Sequence, residues 1–126
     1  MNQGKNRNKI RSAAKALPAI DWRLCLKLAN NKETVAQEIL LLIIQELPTN
    51  LKAIQQAQEK ADYHELLRCV HKLHGSLCYC GMPRLKNAVI LLEIALRNKV
   101  DEAQLTELRG HLETEAKTIL TSPLPR

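Results

Sequence analysis

The strongest constraint in this chain is how few helix breakers it contains. Between Ala19 and Ser122 the only glycines and prolines are Pro48, Gly75, Gly81, Pro83 and Gly110. Glycine and proline are the main local punctuation of a chain, so their scarcity favours long helices. The aromatic content points the same way. Trp22, Tyr63 and Tyr79 stand without any Phe, whereas strands favour aromatic and β-branched side chains. So few aromatic faces also leave no stacking platform for single-stranded nucleic acid. A chain of 126 residues fits one domain with a modest core.

The net charge of +6 is unevenly spread. Lys5, Arg7, Lys9, Arg11 and Lys15 lie among the first 15 residues with no acid beside them. The rest of the 19 basic residues nearly balance the 13 acidic ones. Basicity therefore belongs to a tail, read as a basic flexible linker over residues 1–17. Such a tail could touch nucleic acid or anionic lipid, but a solvated linker is the simpler reading. The bundle carries no electrostatic footprint for nucleic acid.

The longest apolar run, Ile39 to Ile44, is only six residues, against about 18 needed to span a bilayer. No signal-peptide segment stands at the N-terminus. Cys25, Cys69, Cys78 and Cys80 read as reduced thiols, and a cytoplasmic location with no membrane contact is expected.

Helical periodicity divides the chain. A short helix spans about Asp21 to Ala29. Asn30 and Glu33 have capping-box spacing and open the next. There Val35, Ile39, Leu42, Ile43 and Leu47 recur at helical spacing, while Leu40, Leu41 and Ile44 widen the stripe almost all round. A helix of that kind is expected at the centre of its bundle. Pro48 predicts a kink or a restart, with an amphipathic segment continuing to Lys60. Asp62 with Glu65 opens a helix through roughly Tyr79. Gly81 suits a left-handed residue past that helix end, and Pro83 the first turn of the next. Leu85, Ala88, Val89, Leu92 and Leu96 make a core stripe. Asp101 with Gln104 opens the last helix, whose apolar side is Leu105, Leu108, Leu112 and Ile119. Residues 122–126 read as a tail. Short connections make neighbours antiparallel. The predicted architecture is all-α: an antiparallel four-helix bundle over residues 18–121, with a short N-terminal helix.

Motifs for autonomous catalysis are absent. There is no glycine-rich phosphate loop, no GxSxG and no HExxH. The informative segment is the helix from Asp62 to Tyr79. At about 100° per residue, Leu66, Val70, Leu73 and Leu77 form a core face with Cys69 beside it. His71 lies on the other side, flanked by His64, Leu67, Arg68, Lys72, Gly75 and Cys78, with His74 nearer the core edge. Gly75 is costly for the helix, by about 1 kcal/mol relative to Ala, and clears a lane beside the imidazole. An exposed neutral imidazole is a competent nucleophile near pH 7. Arg68 and Lys72 could balance the charge of a bound phosphoryl group. The plain alternative is an ordinary surface histidine and a glycine placed for close helix packing.

A metal constellation competes. His71 and His74 at i, i+3, with Cys78 one turn on and His64 nearby, could share an ion. Bundle metal sites draw ligands from several facing helices, often with carboxylates, so no metal is expected here. Cys78 and Cys80 are too close in sequence for a CxxC pair, and Cys25, Cys69 and Cys80 read as small core residues.

The string His71-Lys72-Leu73-His74-Gly75, with Gly81 ten residues after His71, resembles the histidine-containing phosphotransfer (HPt) family. The longer string HKLHGSLCYCGMPRLKNAVILLEIALR is similar to the C-terminal HPt domain of BarA/GacS/LetS-type hybrid sensor kinases. The resemblance covers about residues 18 to 120. It implies a phosphorelay intermediate without a kinase site of its own. His71 would accept a phosphoryl group from a receiver-domain aspartate and pass it to the receiver of a response regulator. Arg68, Lys72, His74 and Gly75 would support that group. Leu67, Cys78, Arg84 and Lys86 would dock the receiver. No cofactor is implied on this chain, since Mg²⁺ belongs to the receiver. The family usually has Lys three residues after the phosphorylated histidine, where this chain has His74. The alternative is a non-catalytic helical adaptor. A monomer is expected, because the apolar stripes look used up inside one bundle.

Overall fold

Three aspartates each stand at the head of a helix. The carboxylates of Asp21, Asp62 and Asp101 accept the amides of Leu24 at 3.1 Å, Glu65 at 3.2 Å and Gln104 at 2.8 Å. Each satisfies one of the amides that a helix start leaves without a partner. The computed structural model describes residues 17–124. Among them are five helices: α1 (Trp22–Leu28), α2 (Glu33–Glu59), α3 (Tyr63–Leu77), α4 (Pro83–Arg97) and α5 (Glu102–Thr121). No strand occurs among the described residues. The predicted linker, apart from Leu17, and residues 125 and 126 of the tail lie outside them.

Consecutive helices pack on one another, and α2 also meets α5, which closes a four-helix bundle. The short α1 rests against α2. The interior is aliphatic: Leu47, Val70, Leu85, Val89 and Leu112 have no exposed surface. At one end, buried Gln58 of α2 donates to Glu102 and Thr106 of α5 and accepts from Arg109, which ties the first and last bundle helices together. No helix among the described residues is long and apolar enough to cross a membrane.

Several local expectations are corrected. The Asn30–Glu33 capping box does not form. Asn30 and Asn31 instead take left-handed backbone, with φ of 58° and 62°, and Lys32 heads α2 without a side-chain cap. Asparagine is among the few L-residues that visit this region readily, so the pair serves the turn out of α1. Pro48 causes no restart; α2 runs through it. Buried Leu47 and Ile54 on either side anchor both halves to the same core. Nor is α2 apolar-packed all round, because Val35, Leu41 and Leu42 are exposed. Its neighbours are α1, α3 and α5, which leaves one side outward. Leu28 of α1 is also exposed. Helix α3 ends at Leu77, before Tyr79.

The correction at Gly81 is the most informative. It has no positive φ. Glycine is required there by proximity, since a Cβ would sit 2.3 Å from the Asp21 carbonyl oxygen and 2.9 Å from the Cys25 nitrogen. The Gly81 carbonyl accepts the Asp21 amide at 2.7 Å, and its own amide donates to Cys25 Sγ at 3.2 Å. The turn after α3 is thereby bonded to the start of α1.

Candidate functional site

Burial of Leu66, Val70, Leu73 and Leu77 fixes which way α3 faces. That rotation turns His71 outward, with 67% of its side chain exposed. Gly75, one turn further, is exposed, and a Cβ built on it would meet nothing within 4 Å. The glycine therefore admits no neighbouring helix. What it leaves open is the solvent side beside His71.

Glu93 on α4 completes the arrangement, although it is not among the residues the sequence motifs single out. It is only 7% exposed. Its Oε2 lies 2.9 Å from His71 Nδ1, and its Oε1 lies 2.8 Å from His74 Nδ1. Arg97, one turn along α4, donates from Nη2 to Oε2 at 2.9 Å. Burial pushes this carboxyl upward, but hydrogen bonds from His71, Arg97 and His74 outweigh that and hold it down at about 2. A buried charge without such partners would be strongly disfavoured.

The ionised carboxylate dictates the histidine tautomers. Glu93 can only accept, so the hydrogen bonds require protons on Nδ1 of both rings. In neutral His71 the lone pair then sits on Nε2, at the far edge of the ring from Glu93. The two rings stand nearly perpendicular, at 87° with centroids 6.4 Å apart. His74 is half-buried and shares the carboxylate from below.

The remaining predicted residues are placed unequally. Lys72 and Cys78 are exposed and Leu67 is half-buried, all on the outward part of α3. Cys78 Sγ donates to the His74 carbonyl at 3.4 Å. Arg68 is exposed but engaged, since its Nε donates to Glu65 at 2.8 Å and its Nη2 to the other oxygen. Lys86 is half-buried and lies two turns before Glu93, within about 20° of it around α4. Arg84 falls about 180° from Glu93 on the same wheel. Its Nε is 2.8 Å from Oε2 of Glu115, a residue only 3% exposed, and its Nη2 is 3.0 Å from Oε1. The half-buried Arg84 thus forms an ion pair with buried Glu115 between α4 and α5, away from His71. His64 is exposed on the first turn of α3 and does not join the cluster.

A signal for Glu93 did exist. It is the single charged residue in the run Ala88 to Leu96, adjacent to the core stripe at Leu92. An acid in that position needs a partner, and no sequence spacing identifies one on another helix.

Comparison with known proteins is consistent with this geometry. The family model described as "Hpt domain" matches residues 38–120. The signal transduction histidine-protein kinase BarA of Escherichia coli is 34% identical over 86 residues, covering 68% of this chain and 9% of the kinase. The sensor histidine kinase GacS of Pseudomonas protegens is 32% identical over 123 residues, covering 93% of this chain and 13% of the kinase. This chain thus spans about a tenth of the length of those relatives. The crystal structure of the HPT domain of a sensor hybrid histidine kinase from Shewanella superposes with a TM-score of 0.74 at 32% identity, covering 82% of this chain and 88% of that one.

Proposed function

The chain belongs to the Hpt domain family, and from that premise we propose that His71 is its phosphoryl acceptor and donor, serving receiver domains of a two-component relay. The observation that carries the assignment is the bond from His71 Nδ1 to the buried, ionised Glu93. It leaves Nε2 as the nucleophile on an exposed ring.

His71 Nε2 attacks the phosphorus of a receiver's aspartyl phosphate. An Nε2–P bond forms, and the aspartyl oxygen–phosphorus bond breaks. Aspartate leaves as a carboxylate. The ring acquires positive charge, which Glu93 stabilises through the Nδ1 proton it already accepts. The reverse step returns the group to another receiver's aspartate. Mg²⁺ for both steps belongs to the receiver, and this chain supplies the imidazole and a docking rim.

That rim is assigned to Leu67, Lys72, Gly75, Cys78 and Lys86, around the open side of His71. Lys72 and Lys86 steer the acidic pocket of a receiver. Arg68 acts from further out, with its charge partly balanced by Glu65. His74 supports the phosphoryl group indirectly, through the carboxylate it shares with His71. The domain works in the cytoplasm, as a monomer.

The test is transfer from a labelled phospho-receiver to wild type and His71→Gln side by side. Acid-labile, base-stable label on wild type alone supports the assignment. Equal label on both chains moves the acceptor elsewhere. A chain that takes no label from any of a broad receiver panel is an adaptor.

A further inference from the structure

One helix alone does not build a bundle metal site. The facing helix supplies the missing ligand type. Side-chain ligand atoms of His71, His74 and Glu93 all lie within 4.8 Å of one another. Two come from α3 at i, i+3 and one from α4. This is the kind of cross-helix set, imidazoles with a carboxylate, from which bundle metal sites are made.

We propose that His71, His74 and Glu93 form a binding site for a divalent first-row transition metal ion of the class that zinc represents, and that the bound ion prevents His71 from accepting a phosphoryl group. The second half rests on the function proposed above; the first half does not.

Three observations carry the site. Glu93 is more than nine-tenths buried and aims one oxygen at each imidazole, at 2.9 and 2.8 Å. Arg97 holds only Oε2, so Oε1 is the oxygen offered to an ion. The donor set of two nitrogens and one oxygen is one that zinc accepts, with water in a fourth position. Zinc holds its ligands at about 2.0–2.2 Å, which separates ligand atoms by roughly 3.3 Å in a tetrahedron. The ligand atoms lie within 4.8 Å of one another, and a small rotation of the exposed His71 would draw them together. Its outward side leaves the fourth position to solvent. His64 and Cys78, the other candidates on α3, stand outside this group.

Tautomer chemistry explains the block. An ion in the pocket takes the Nδ1 lone pairs that face Glu93. Each ring loses its Nδ1 proton to water and takes one up on Nε2, with no net change in protons. Nε2 of His71 then carries hydrogen and has no lone pair in the ring plane. It cannot attack phosphorus. Metal occupancy and phosphoryl acceptance are thus alternative states of one imidazole.

The test uses zinc itself, titrated into the full-length reduced chain against a chromophoric chelator. Wild type, His74→Gln, Glu93→Gln and Cys78→Ser are compared, with circular dichroism to check folding. The proposal expects one zinc per chain. Affinity should fall at least about tenfold in His74→Gln and in Glu93→Gln and stay unchanged in Cys78→Ser. Affinity lost only with the thiol, or unchanged in all variants, overturns the site. A second arm phosphorylates the chain with phosphoramidate, so that no receiver metal intervenes. Zinc should stop labelling, a chelator should restore it, and Glu93→Gln should raise the zinc needed at least about tenfold. Zinc bound at the triad with labelling undiminished overturns the blocking mechanism. A chain that takes no label even without zinc overturns the functional reading, while the titration still decides the site.

Discussion

Glu93 reaches across from α4 to hold His71 on α3 by its Nδ1, at 2.9 Å. The exposed ring is therefore oriented by a helix to which it does not belong. The same carboxylate binds His74 and Arg97, so one buried acid sets the tautomer and position of the outward imidazole. The first expectation concerns this bond. Glu93→Gln should leave the bundle folded but slow phosphoryl transfer. A charge-assisted hydrogen bond contributes about 1.5–3 kcal/mol, which corresponds to roughly 10–100-fold in rate when it acts in the transition state. Single-turnover transfer from a phospho-receiver checks this, and an unchanged rate removes Glu93 from the mechanism.

Acid should weaken the same network. The folded Glu93 carboxyl is held at about 2, below its ordinary 4.5, by the bonds from His71, Arg97 and His74. Its stabilising contribution is therefore complete above about pH 4.5 and is lost as pH falls through about 2. Urea unfolding of wild type and Glu93→Gln between pH 2 and 6 should show a steeper acid loss in wild type. Parallel curves would contradict this assignment of the charge.

Two glycines should respond oppositely to the same change. Gly75→Ala adds a methyl that meets nothing within 4 Å, so it should stabilise the fold by about 0.5–1 kcal/mol, the helix preference of Ala over Gly. Gly75→Glu should keep the helix yet block transfer by filling the lane beside His71. Gly81→Ala drives a methyl into the backbone of Asp21 and Cys25. It should destabilise by about 1–3 kcal/mol, typical of overpacking, and loosen α1 first. Thermal unfolding and hydrogen exchange at α1 separate the two cases.

Arg84 should behave as a structural residue. Removing it by Arg84→Ala strands the buried Glu115 carboxylate. Losing one partner of such a pair costs about 3–5 kcal/mol. Denaturant titration should show that loss, whereas a docking residue would weaken receiver binding with stability unchanged.

The helices and their inner faces were legible from the sequence because periodicity and caps are local. Asp62 and Asp101 cap as their spacing predicts, and His71 is exposed because Leu66, Val70 and Leu73 are buried. What escaped was set by contacts between distant segments. Gly81 answers to Asp21 and Cys25, far away in the chain. Arg84 answers to Glu115, and His71 to Glu93. Asn30 had the right spacing for a cap, but its tolerance of left-handed backbone was used for the preceding turn instead. Residue spacing along one helix does not reveal which residue on another helix meets it.

In the proposed relay, Glu93 occupies Nδ1 of His71 and so directs the phosphoryl group to Nε2. Long-range ¹H–¹⁵N NMR of the ¹⁵N-labelled chain, before and after phosphorylation, reads both nitrogens directly. A protonated Nδ1 in the free chain and a phosphorus-coupled Nε2 on His71 afterwards are the expected result. Phosphorus on Nδ1, or on His64, His74 or His111 instead, would contradict it.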